Sequence, residues 1–353
     1  MLALLAAQAG CDQGPSDIES ARGPALHLVA SYPADGQGTN ADPAADVNYN
    51  TPTPDCPVPT DVAIELRFDR FLLPGGALTQ GIYLYSGNPP ANGVALSVAY
   101  DLIERVLVLH PARDLHPNTL YTVEIPPSTK LSQGVWAFDH APLEAGAVPL
   151  RFSFSTGSGP SVHPAEVVPA PDTCDTIAQG ALSTCAGCHV TTPADGSTPK
   201  LSPPMGLDLS SARGLYYTAV SHVAHQTETA DSIASVGVQT PVRFGEQMNI
   251  VDPGNPATSY LLYKLLQKPE NFRLGPDEAT CTIPYHSPVA EGGCTPPDPA
   301  EINRLREWFV HGEPMPKDGQ STTGAVLPAA TNHTTLLRLA RWIASGALCA
   351  PPP

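Results

Sequence analysis

The sequence predicts two domains, an N-terminal all-β sandwich and a C-terminal all-α domain, from three observations. Apolar residues recur with a period of two between residues 25 and 156, and with a period near 3.6 after residue 172. A proline-rich stretch with no apolar period separates the two regimes. The chain has 353 residues, enough for two domains, and its 41 prolines and 29 glycines disfavour long helices and coiled coils.

Residues 1–11 carry the apolar run Met1-Leu2-Ala3-Leu4-Leu5-Ala6-Ala7, which ends in Gln8-Ala9-Gly10-Cys11. A short apolar stretch, small residues and then Cys resemble the end of a bacterial lipoprotein signal peptide. The resemblance implies a lipid on Cys11 and, through it, a membrane as partner. Residues 12–26 begin with the polar stretch Asp12 to Arg22 and read as a tether.

Residues 27–157 are the expected sandwich. Val62, Ile64, Leu66 and Phe68 alternate with polar or small residues, the period of a half-buried strand. Ile82 with Leu84, Val106 to Leu109, Leu120 to Ile125, and Leu150 with Phe152 and Phe154 repeat the pattern between turn-rich segments. Tyr121 enters a late strand just after the turn Leu115-His116-Pro117-Asn118-Thr119. That is the place of a tyrosine corner, whose hydroxyl bonds back to upstream backbone. The order resembles bacterial Ig-like domains, which open with a phrase like Ser31-Tyr32-Pro33-Ala34-Asp35-Gly36 and close with one like Phe152-Ser153-Phe154-Ser155-Thr156-Gly157. The resemblance implies a fold and no particular ligand. Asp35, Asp42 and Asp46 lack the spacing of a calcium loop and read as turn residues. His110, His116 and His140 read as surface or loop histidines.

Residues 158–172 are the proline-rich linker, and residues 173–350 the expected helical domain. Asp172 or Thr173 can cap a helix through Ile177 and Leu182 toward Cys185. Ser210 to Val223 has Leu215, Tyr216, Val220 and Val223 at helical spacing, and Asn255-Pro256 opens a helix through Tyr260 and Leu266. Asp298-Pro299-Ala300-Glu301 resembles a capping box before Ile302, Leu305, Trp308 and Phe309. A last helix runs from Asn332 to Gly346.

The chemistry concentrates in Cys185-Ala186-Gly187-Cys188-His189. Two thiols two residues apart can each add across one haem vinyl group, and the next His is then held under the iron. A zinc ribbon needs a second close Cys pair, and Cys281 and Cys294 are thirteen positions apart. A thioredoxin-type pair follows a strand, whereas this one follows a helical stretch.

Around that motif the helical half resembles the monohaem class I c-type cytochrome domains of exported bacterial proteins. The residues that carry the likeness are Cys185 to His189, Gly206-Leu207-Asp208-Leu209-Ser210, Val251-Asp252-Pro253-Gly254-Asn255-Pro256, Ser259 to Leu265, Met315-Pro316 and Arg341 to Ala347. The resemblance implies one covalently attached haem c with His189 as proximal ligand and Met315 as distal ligand. Met248, Met205, His222 and His225 are the lesser candidates for the distal position. His189 and Met315 lie 126 positions apart, longer than a minimal domain of this class needs. The surplus, Lys268 to Pro297, reads as an inserted loop stapled by Cys281 and Cys294. In this fold the first and last helices pack together, which implies a Cys174–Cys349 bridge. Cys56 is then left over, or pairs Cys11 if that residue carries no lipid.

Eight cysteines fit an oxidising compartment. The formal charge of −16 works against nucleic acid as partner, since that binding neutralises phosphates. The expectation is an extracytoplasmic, lipid-anchored electron carrier rather than a catalyst. It would serve redox partner proteins, with the Ig-like domain as spacer or docking module. The alternatives are a surface adhesive or structural Ig-like protein with a subsidiary haem sensor, and a haem subunit of an extracytoplasmic oxidoreductase.

Overall fold

A computed structural model describes residues 23–40, 55–74, 81–87, 92–126, 134–161, 171–190, 206–224, 248–268, 297–308, 310, 315 and 333–349. The first part is a two-sheet sandwich. One sheet orders its strands β5-β6-β2-β1-β8, with β1 Leu26–Tyr32, β2 Ile64–Phe68, β5 Leu96–Asp101, β6 Val106–Pro111 and β8 Leu143–Glu144. The other orders them β4-β3-β7-β9, with β3 Tyr83–Ser86, β4 Gly93–Val94, β7 Leu120–Glu124 and β9 Arg151–Ser155. All pairs are antiparallel except β1 with β8.

Ile64, Leu66, Phe68, Leu107, Leu109, Val123 and Phe154 fill the core between the sheets, as their alternation requires. The tyrosine corner forms: the His116 N–H donates to the Tyr121 hydroxyl at 2.9 Å, and the Tyr121 ring stacks on Phe154 with centroids 5.9 Å apart. The outer edge of β9 is covered by residues 36–37, where Gly36 N–H donates to Ser153 O and Ser155 N–H to Gln37 O. Gly38 completes that cover at φ +72°, and a Cβ there would meet Ser155 O at 2.5 Å. The polar positions of β2 are buried too. Its alternation predicts one wet face, yet Glu65 and Arg67 are both covered.

The second part is α-helical but less continuous than its periodicity suggests. Helix α1, Cys174–Gln179, starts on a Thr173–Thr176 capping box, while Asp172 pairs instead with Arg338 at 2.6 Å. Helix α2 spans only Ala212–Thr218, with Ser211 as cap. Val220 and Val223 have left the helix by then and bridge to Val251 and Asn249. Pro256–Thr258 forms one 3-10 turn, and α3 begins afresh at Tyr260–Leu266. The break has a local cause. The Ser259 hydroxyl donates to Asn255 O and accepts from Asp252 N–H, which holds Ser259 extended. Helix α4 is Pro299–Trp308, and α5 is His333–Ala344, stopped by Gly346 at φ +96°. Cys174 and Cys349 form the expected disulfide, with Cα atoms 4.9 Å apart.

The two halves pack against each other through buried polar groups. Asp298 does cap α4 by accepting from Ala300 N–H at 2.7 Å, but Glu301 does not complete a capping box. Its carboxylate turns into the sandwich, where it accepts from Arg70 Nε at 2.8 Å and Phe71 N–H at 3.1 Å. Arg70 also pairs with Asp139 at 2.6 Å. At the start of α5, His333 Nε2 lies 2.5 Å from Glu104 Oε1. Both ends of the described linker are pinned as well. Ser161 bonds Asp61, and Asp172 bonds Arg338.

Candidate functional site

Cys185–Gly187 forms a single 3-10 turn that follows α1 after one intervening turn. The turn is wound by local backbone bonds: Ala186 N–H donates to Leu182 O at 3.0 Å and Cys188 N–H to Cys185 O at 3.1 Å. Its root is buried, because Ile177 and Leu182 anchor the preceding segment in the core. His189 N–H donates to Cys185 O at 2.9 Å, so the imidazole is presented from the same turn as the thiols. The His189 carbonyl accepts from Leu209 N–H at 2.9 Å, which ties the turn to the segment before α2.

The two thiols differ in environment. Cys185 packs against the hydrophobic core, and desolvation pushes its thiol up to about 11. Cys188 is exposed. Neither is in a disulfide, whereas Cys174 and Cys349 are bonded to one another. Cys185 is thus shifted away from the depressed pKa of a nucleophilic thiol. Two unbonded sulfurs on one turn with a histidine directly after them fit covalent attachment of a haem.

The remaining sequence candidates fall in different places. Met315 is half-buried against the same apolar core, with its N–H 3.5 Å from Lys264 O on α3. Met248 is buried, and its carbonyl accepts from Ala224 N–H at 2.9 Å. His222 is exposed in the loop after α2 rather than on a helical face. Met205, His225, Cys11, Cys281, Cys294, Asp42 and Asp46 lie outside the described residues. Asp35 accepts from Ser153 N–H at 3.1 Å, a turn-fixing role. No group of three His, Cys, Asp or Glu side chains among the described residues could hold a metal ion. No helix among them is long and apolar enough to cross a membrane.

The residues that sequence reasoning missed are Arg70, Asp139, Glu301, Glu104 and His333. A signal for Arg70 and Glu104 existed in this weakly charged chain. Phe68-Asp69-Arg70-Phe71 and Ile103-Glu104-Arg105-Val106 each set a charge pair directly between large apolar residues. Between the halves lies a crevice of about 410 Å³, walled by Val98 and Val108 on one side and Ala257, Leu337 and Ala340 on the other.

The family model of the bacterial Ig-like domain matches residues 24–156. No curated protein matches the chain. Among solved structures, the S-layer protein rSbsC(31-844) is 9% identical over 42% of this chain and 15% of that one, with a TM-score of 0.24. The structure of surface layer protein SbsC, domains 1-6, is 10% identical over 44% and 15% of the two chains, also at 0.24. This chain therefore spans 15% of the length of either, and likeness at that score carries no argument. What the match over residues 24–156 and the two-sheet topology establish together is that the N-terminal part of the chain is a bacterial Ig-like domain.

Proposed function

We propose that this is an extracytoplasmic Ig-like surface protein whose helical half carries one covalently attached haem c and passes single electrons. The observation that supports this most directly is the single turn bearing Cys185, Cys188 and His189, with both sulfurs outside any disulfide. A bound haem supplies an iron that takes up and releases one electron. Cys185 and Cys188 would each hold it through one thioether, and burial pushes the Cys185 thiol up. His189 would provide the proximal nitrogen and Met315 a soft thioether on the other side, a ligand type that raises the potential. With His189 and Met315 both held as ligands, the site would transfer electrons rather than activate oxygen. The exposed Cys188 side is the proposed electron exit. An oxidising location agrees with the Cys174–Cys349 bridge, and a lipid on Cys11 would hold the chain at a membrane.

A second reading, a structural or adhesive surface protein with a subsidiary haem domain, is favoured by the family match, which falls entirely on the sandwich. Tyr83 and Leu120 are 56% and 53% exposed on the outer face of its four-stranded sheet. One experiment separates the readings. The chain is exported alongside a c-type haem maturation system, and oxidised and reduced spectra are taken with and without Met315→Ala. A thioether-linked haem with a methionine–sulfur band that disappears in the variant supports the carrier. A haem lacking that band moves the function to an open-site sensor or oxidoreductase subunit. Absence of covalent haem leaves the adhesive protein.

A further inference from the structure

We infer that a two-point buried latch, Glu301 on Arg70 and His333 on Glu104, holds the helical half in one fixed pose on the sandwich, so that the Cys185–His189 turn is a rigid fixture of the Ig-like domain. This does not depend on what the turn carries.

The first point joins α4 to the sandwich. Arg70, Asp139 and Glu301 are 4%, 0% and 1% exposed, and their charges are compensated within a cluster that also holds the part-exposed Arg304, 2.9 Å from Glu301 and 3.8 Å from Asp139. The bonding is directional as well as ionic. Glu301 Oε2 takes Arg70 Nε while Oε1 takes the Phe71 N–H, so both carboxylate oxygens are aligned by adjacent residues. Arg70 Nη1 donates to Pro24 O, Gly23 N–H donates to Asp139 Oδ2, and a Cβ at Gly23 would strike that oxygen. Start of β1, sandwich loops and α4 thus converge on one point.

The second point joins α5, where His333 and Glu104 are both 1% exposed. Two attachments on different helices remove the rotation that one would leave. A buried ion pair such as Arg70–Glu301 gives little net affinity over apolar contacts, but it and the buried His333–Glu104 hydrogen bond strongly penalise any pose that misaligns them. Apolar burial of Leu337 and Ala257, in one core cluster with the sandwich residues, supplies the adhesion, and the polar contacts select the orientation.

The constraint reaches the cysteine turn through stiff links. Helix α5 carries it from His333 along 12 residues, about 18 Å at 1.5 Å per residue. Cys349 then bonds Cys174 at the head of α1, and Arg338 holds Asp172 one step earlier. Helix α1 ends at Gln179, and the turn at 180–184 then leads to Cys185.

The test inserts a protease site between residues 162 and 170 of the full chain, cleaves the folded protein and follows the two fragments by gel filtration. The wild-type fragments should co-elute, including in 1 M salt, because buried pairs are poorly screened. Glu301→Ala and His333→Ala should each raise the rate of fragment dissociation at least tenfold. Glu301→Gln, which keeps the acceptor for Phe71 N–H, should lie between and guards against misfolding of the alanine variant. Wild-type fragments that separate on cleavage overturn the latch. So do variants that dissociate no faster than wild type.

Discussion

Glu301 of α4 and Arg70 of the sandwich, 231 positions apart, meet at 2.8 Å in the interior where the two halves join. A carboxylate whose local sequence suggests a helix cap thus serves a tertiary contact. Arg70 lies over the Phe138 ring at 5.7 Å as well, so its guanidinium is compensated by charge, hydrogen bonds and an aromatic face. Removing Arg70 leaves two buried carboxylates with only the part-exposed Arg304, whereas removing Glu301 leaves Arg70 paired with Asp139. Arg70→Leu should destabilise the protein by about 3–5 kcal/mol and Glu301→Leu by less, both read from urea unfolding.

Tyr121→Phe isolates the tyrosine corner. The ring still stacks on Phe154, but the His116 N–H loses its acceptor. The expected cost is about 1 kcal/mol, a fall of about 2–4 °C in thermal midpoint, measured by calorimetry. A loss confined to that range separates the hydrogen bond from the stacking.

Asp101 sets a pH dependence. Burial, and then the charge of Glu104, push its carboxyl up to about 6, although Ile103 and Glu104 N–H groups donate to it. The folded protein therefore holds this proton more tightly than the unfolded chain. Its contribution to stability is complete below about pH 4 and is lost as pH rises through about 6. Unfolding free energies of Asp101→Asn and wild type should converge at the acid end and diverge, in favour of the variant, above that window. Asp172 has the opposite sign. Arg338 holds its carboxyl below the ordinary value, so that contribution exists at neutral pH and fades on acidification. The pair is part-exposed, and its effect should be small.

The Cys174–Cys349 bridge closes a separation of 175 positions, almost the whole helical half. On the chain-entropy account, replacing both cysteines by serine should cost about 4–5 kcal/mol. The loss should fall on α1 and α5 first, seen as faster hydrogen exchange in peptides from residues 174–179 and 333–344.

The two thiols of the candidate site should be chemically distinct before any cofactor is attached. Iodoacetamide at neutral pH should label exposed Cys188 well before Cys185, whose thiol is buried and shifted up to about 11. Mass spectrometry of partly labelled protein reads the order directly. Equal labelling rates would show that the two thiols share one environment.

The strands were legible where period-two alternation was strong, as in 62–68 and 150–154, and the tyrosine corner where a turn delivered Tyr121 to a strand. β4, β5 and β8 went unnoticed because two are only two residues long and Leu96–Asp101 is half-exposed along an edge. Helices were read too long. Side chains such as Ser259 satisfy backbone groups locally, and no helical period reveals that competition. Within the candidate site, Cys185, Cys188 and His189 were visible because their chemistry is fixed by adjacency in the chain. The environment that sets the Cys185 thiol apart from that of Cys188 was not.

By itself the sequence determined the two regimes of periodicity, the sandwich core and the single Cys-X-X-Cys-His turn. Each follows from spacing along one chain, which dictates what a strand or helix can bury. Only the tertiary structure decided how the halves meet. The partners of Arg70, Asp139, Glu301, Glu104 and His333 are not written in the sequence, and these residues meet because folding brings positions as far as about 230 apart into a place that excludes water. A charge there must find its opposite, and which one it finds is a property of the packing.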